Sequence, residues 1–106
     1  MDEQQLIHNV AQALLQRRGI TWTPDTVFMA QMTQAASASI ALLRSHAGNQ
    51  NLGFESADDF DLAVTCAWYL AENRRAEFLS EYKQELIWLR MREALKSGTD
   101  ENTDVS

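Results

Sequence analysis

Ala67-Trp-Tyr-Leu-Ala-Glu-Asn73-Arg-Arg-Ala-Glu-Phe78-Leu-Ser-Glu-Tyr82-Lys-Gln-Glu-Leu86-Ile-Trp-Leu-Arg90-Met-Arg92 lies inside a forty-residue run, Ala57 to Lys96, that contains neither Gly nor Pro. Nothing in such a run breaks a helix, and its apolar residues recur at helical spacing. As one straight helix it would be about 60 Å long, at 1.5 Å per residue. Two other helices of a small domain cannot cover that length. Asn73, within the polar run Glu72-Asn-Arg-Arg75, is a reasonable interior cap, so a break is expected there, with helices of about 57–72 and 74–96. In the first, Phe60, Val64, Ala67, Trp68 and Ala71 form the buried side. In the second, Leu79, Tyr82, Leu86 and Leu89 follow a 3-4-3 spacing with Phe78 beside them, while Trp88, Met91 and Leu95 make a second stripe on a different face.

Toward the N-terminus, two more helices are legible. Leu6, Val10 and Leu14, widened by Ile7, Ala11 and Leu15, predict an amphipathic helix over Asp2 to Arg17. Asp2 and Glu3 suit its positive end and Arg17-Arg18 its negative end. Gly19 is placed to take the left-handed position that closes it. Ile20 and Trp22 are expected to plug a core edge. Thr23 reads as the N-cap of the second helix, with Pro24 at its first position and Asp25 in its first turn. Phe28, Met32, Ala35, Ala36, Ser39 and Leu43 define one face of that helix. Its small residues from Ala35 to Ala41 would let another helix approach closely. Residues 48–55 form a loop rich in turn formers, and Ser56 followed by Asp59 resembles a capping box that opens the third helical run.

The expected architecture is an all-α bundle of three to four helices with a long C-terminal helix: one domain over 1–96 and a disordered acidic tail over 97–106. A 45% hydrophobic, 23% charged composition fits an ordinary globular chain rather than a disordered one. Its single cysteine, Cys66, rules out an internal disulfide and fits a reducing cytosol. The apolar stretches read as too short to span a bilayer, and no signal peptide or membrane anchor is expected.

Charge narrows the function further. A net charge of −6 disfavours gripping nucleic acid, because that affinity comes mostly from Lys and Arg neutralising phosphates. It is compatible with lining a passage through which DNA must slide. No catalytic, cofactor-binding or metal-binding set emerges. His8 and His46 fall on different helices, neither at metal-ligand spacing from Cys66, and Cys66 reads as a small buried hydrophobe. Asp58, Asp59 and Asp61 lack the glycine turn and distal glutamate of a calcium loop and are explained by a helix start. Two features remain. Trp88, Met91 and Leu95 either cover another helix of this chain or mark a protein interface. Arg74-Arg75 with Glu77, Glu81, Lys83 and Glu85 reads as a solvated face with helical ion pairing, which across a symmetric ring would suit subunit pairing.

The order of these pieces resembles a known family. A small-residue helix ending in Gly and an Asp-rich helix start come first. Trp68-Tyr69-Leu70-x-x-Asn73-Arg74-x-Ala76 with Phe78-Leu79 follows, and then Glu85-Leu86-Ile87-x-Leu89-Arg90. This wording resembles the tailed-phage head–tail connector (head-completion) proteins, best over residues 57–96 and less over 24–48. The resemblance implies a non-enzymatic structural protein without cofactors. Its copies would form a ring between the portal protein and the tail or a stopper protein. DNA would pass through without specific binding, and no membrane would be involved. Location would be the virion, and the host cytoplasm during assembly. Arg74, Arg75, Trp88, Arg90, Met91 and Arg92 are the expected interface residues. The alternative is a small helical adaptor or DNA-binding regulator in which 24–48 acts as a helix-turn-helix; the negative charge weighs against it.

Overall fold

A computed structural model of the chain describes residues 2–20 and 22–105, the last nine as backbone alone. The described residues form helices and no strands: α1 (Glu3–Arg17), α2 (Thr26–Ala47), α3 (Ala57–Ala71), α4 (Arg75–Glu81) and α5 (Lys83–Val105). The all-α class is as expected; five helices replace the expected three to four. The acidic segment 97–106, expected to be a disordered tail, lies outside the residues whose side chains are described.

Local chemistry accounts for most helix ends. Asp2 caps α1 by accepting from the Gln5 N–H at 2.8 Å. Gly19, at φ 76°, ends it: the Gly19 N–H donates to Gln16 and the Ile20 N–H to Leu15, the paired bonds of a Schellman motif. Gly48, at φ 70°, closes α2 in the same left-handed conformation. The start of α2 differs from expectation. Asp25, not Thr23, is the N-cap and accepts from the Phe28 N–H at 2.8 Å, so Pro24 lies outside the helix. Asp ranks above Thr as a cap, and its negative charge also faces the positive end of the helix dipole.

The break near Asn73 is present, but Asn73 does not begin a helix. It is the left-handed residue, at φ 60°, that ends α3. The Asn73 N–H donates to Leu70 and the Arg74 N–H to Tyr69 at 2.8 Å, a second Schellman motif with Asn in the usual glycine position. Arg74 precedes α4 without any side-chain cap. A further bend at Tyr82 divides the expected 74–96 helix into α4 and α5. No Gly, Pro or Asn marks it. Tyr82 stacks on Phe78 with ring centroids 5.0 Å apart, and Tyr69 closes a three-ring cluster joining α3, α4 and α5. The expected Leu79-Tyr82-Leu86-Leu89 stripe is therefore bent. Leu86 and Leu89 are buried, and Leu79 and Tyr82 are half-buried.

Helix α2 sits at the centre and packs against α1, α3 and α5. Its small residues do what the sequence implied. Ala35, Ala36 and Ser39 are buried, as are Ala63 and Ala67 of α3. The Ser39 hydroxyl donates to the Ala63 carbonyl at 2.6 Å, a bond that needs closely spaced backbones. Ala36→Leu should overpack this contact and cost roughly 1–3 kcal/mol of stability, readable as a lower urea midpoint at unchanged slope. By length and composition alone, α2 is long and apolar enough to cross a membrane: 22 residues, with a most apolar stretch of mean hydropathy 1.2. That departs from the reading that every apolar stretch is too short. In this fold its apolar side is occupied by three helices of the same chain.

The loop between α2 and α3 contributes more than turns. It buries Leu52 and Phe54, the latter at a left-handed φ of 55°. The Arg44 Nε donates to the Leu52 carbonyl at 2.9 Å, and its guanidinium lies over the Phe54 ring.

Candidate functional site

The C-terminal helix α5 carries two apolar faces, as its spacing suggested. Toward the core, Leu86 and Leu89 are buried, together with Glu93 one turn further on. The opposite face leaves Ile87 43%, Trp88 68%, Met91 59% and Leu95 69% exposed. Residues 87, 91 and 95 repeat by four, and 88 lies three before 91, so all four share one side of the helix. Trp88, Met91 and Leu95 therefore do not cover another helix of this chain. Ile87, absent from the sequence-level stripe, belongs to it, and its four-residue spacing to Met91 was the available signal.

A second exposed apolar pair, Trp22 and Val27, lies at the approach to α2 and in its first turn. Trp22 was expected to plug a core edge. Instead Ile20 is half-buried against the core and Trp22 faces solvent. The two exposed sets lie on different elements. Glu3 pairs with Arg44, and Asn49 donates to Glu93 at 2.8 Å. These bonds gather the start of α1, the end of α2 and the second half of α5 at one end. Trp22 and Val27 follow α1 in the chain, at the approach to α2 and in its first turn.

The four arginines named from sequence divide by role. Arg92 clamps α5 to the start of α3: its two terminal nitrogens reach the two Asp59 carboxylate oxygens at 2.8 Å each. Glu93 completes the clamp, accepting from Arg92, Lys96 and Asn49. Asp59 thus faces Arg92, and only the Ser56 half of the anticipated capping box forms, with Ser56 accepting from the Asp59 N–H at 3.1 Å. Arg74 pairs with Glu72 and Glu77 and stacks over the Tyr69 ring 4.7 Å from its centroid. Arg75 and Arg90 are exposed and make no ion pair among the described residues. The expected interface set is therefore not one patch. Trp88 and Met91 share the outer stripe of α5, Arg90 is exposed but falls off it, Arg92 turns inward, and Arg74 and Arg75 sit at the α3–α4 corner.

The clamp has a pH signature. Burial alone would push the Glu93 carboxyl up, but hydrogen bonds from Asn49, Lys96 and Arg92 outweigh it and hold the group below its ordinary 4.5. Glu72 is displaced the same way, chiefly by Arg74. A carboxyl with a depressed folded-state pKa contributes stability that is present above its unfolded value and lost as pH falls through the folded one. Stability should therefore fall as acidity increases below an unfolded-state value near 4.5. Urea unfolding of Glu93→Gln should give lower stability at neutral pH and a shallower acid decline than the parent chain.

Among the described residues, Cys66, His8 and His46 lie apart. Cys66 is fully buried, and that burial pushes its thiol up to about 11 against smaller opposing pulls from the Ser39 hydroxyl and Arg75. Thiolate is then scarce at neutral pH, as for a structural cysteine. His8 and His46 are exposed on different helices. Among the described residues, no three His, Cys, Asp or Glu side chains are grouped to hold a metal ion. The most distinctive feature with unspent binding capacity is the outer stripe of α5. The sequence matches no family model, and comparisons with curated proteins and with solved structures give no match.

Proposed function

We propose that this chain is a non-enzymatic structural connector of a phage or prophage. Its copies form a ring between the portal and the tail or a stopper protein, and DNA passes through without being bound. The observation that carries this reading is the outer stripe of α5, where Ile87, Trp88, Met91 and Leu95 face solvent in one row. Contiguous exposed apolar surface of this kind marks protein interfaces, and Trp and Met are enriched there.

Two further features agree. A ring needs a heterologous contact, in which one surface of a copy meets a different surface of the next. The stripe on α5 and the separate Trp22–Val27 pair at the start of α2 supply two exposed apolar sets on different elements. The net charge of −6 keeps a channel from holding DNA. The resemblance of residues 57–96 to head–tail connectors then selects connectors among assembly proteins, with the virion, and the host cytoplasm during assembly, as the location.

The test is to mix the purified chain with the portal protein of the same phage or prophage and image the product. Rings seated on the portal are the expected result. Portals that stay bare at high concentrations of this chain would contradict the reading.

A further inference from the structure

Beside the stripe, α5 and α3 flank an open groove of about 520 Å³, of which the connector reading uses only Trp88. Leu62 and Leu89 line it, with Tyr82 and the exposed Trp88 also contributing to its walls. Its rim is acidic. Asp58 of α3 and Glu85 of α5 are exposed and make no ion pair among the described residues, whereas Asp61 is paired with Arg17 and Asp59 with Arg92. The groove thus combines apolar side chains with two uncompensated negative charges.

We propose that this groove docks a basic amphipathic helix of a partner protein, with an aliphatic or aromatic anchor between Leu62, Trp88 and Leu89 and Lys or Arg over Asp58 and Glu85. Charge complementarity selects this occupant. A nucleic acid would be repelled by the rim, and an acidic segment would place like charges together. An amphipathic helix laid into an apolar groove is a common recognition mode, and flanking charge sets its partner choice. The inference stands whether or not the chain joins a portal, because it concerns the α3-facing side of α5, which shares only Trp88 with the outer stripe.

The full chain, isotopically labelled, can be titrated with two short designed helical peptides of identical apolar positions, one flanked by Lys and Arg and the other by Glu and Asp. The Trp88 indole resonance reports binding. The basic peptide should bind at least about tenfold tighter than the acidic one. Shifts should centre on Leu62, Trp88 and Leu89. Glu85→Lys, on the exposed side of α5, should erase the preference, and Asp58→Asn should weaken it. Met91→Ser with Leu95→Ser should leave it intact, although the same pair should impair ring formation, which separates the two readings. Equal affinity for both peptides, no shift with either, or shifts centred on Met91 and Leu95 would overturn the proposal.

Discussion

Phe78→Ala is expected to destabilise the fold by roughly 3–5 kcal/mol, the range for deleting a fully buried aromatic ring. Phe78 is the largest side chain in the structure with essentially no exposure. It lies on the short helix α4, whose seven residues are marginal as a helix alone. Its ring is 5.7 Å from that of Tyr69 and 5.0 Å from that of Tyr82, so one side chain joins α3, α4 and the bend into α5. Small domains hold only about 5–15 kcal/mol in total, so this single truncation removes a large share. Thermal unfolding should show the midpoint falling by more than about 10 °C. Phe78→Leu keeps most of the volume and should cost clearly less. A midpoint unchanged by the alanine variant would mean that α4 is not anchored as described.

Trp88→Glu should have the opposite profile. Trp88 is solvent-facing and makes no hydrogen bond among the described residues, so stability should stay within about 0.5 kcal/mol of the parent. Association should collapse. A central tryptophan in an interface contributes about 2–4 kcal/mol on truncation, or roughly 30-fold to 1,000-fold in affinity, and a buried unpaired carboxylate adds to the loss. Titration calorimetry against the portal protein, with a thermal melt of the same sample, separates the two effects. Lost stability with intact binding would assign Trp88 to the fold instead.

Signals within one or two helical turns were legible in the sequence, and pairings across the fold were not. The caps at Gly19, Gly48 and Ser56 depend on neighbouring atoms, and each appears where its residue type suggested, while Asp2, read as the first helical residue, is instead the cap just before it. Asn73 was recognised as punctuation but given the wrong job, because Asn serves both as an N-cap and as a left-handed terminator. Only the bonds to Leu70 and Tyr69 decide between them. The bend at Tyr82 has no breaker residue and arises where three rings separated in sequence meet. The Arg92–Asp59 clamp joins residues 33 apart, so Arg92 looked as available for partners as Arg90.

The motif that carries the family resemblance is largely explained by the α3–α4 corner. Trp68 lies beneath the Arg18 guanidinium, Tyr69 belongs to the ring cluster and stacks with Arg74, and Asn73 supplies the left-handed turn. These residues build a shape rather than a binding surface. The proposed assembly surface lies one element later, on the outer face of α5, and that face is legible because Trp88, Met91 and Leu95 fall off the core-facing spacing. Its exposure fits a chain whose last helix completes its packing only in an assembly.

Met91 offers the most direct check, since thioether oxidation follows solvent access. Peroxide treatment followed by peptide mass analysis should convert Met91 readily in the isolated chain. In the portal-bound assembly it should be protected at least about tenfold, as expected for a residue moved from solvent into a close-packed interface. Equal oxidation of Met91 in both states would show that the outer stripe of α5 stays bare, and the claim that it is the assembly surface would be wrong.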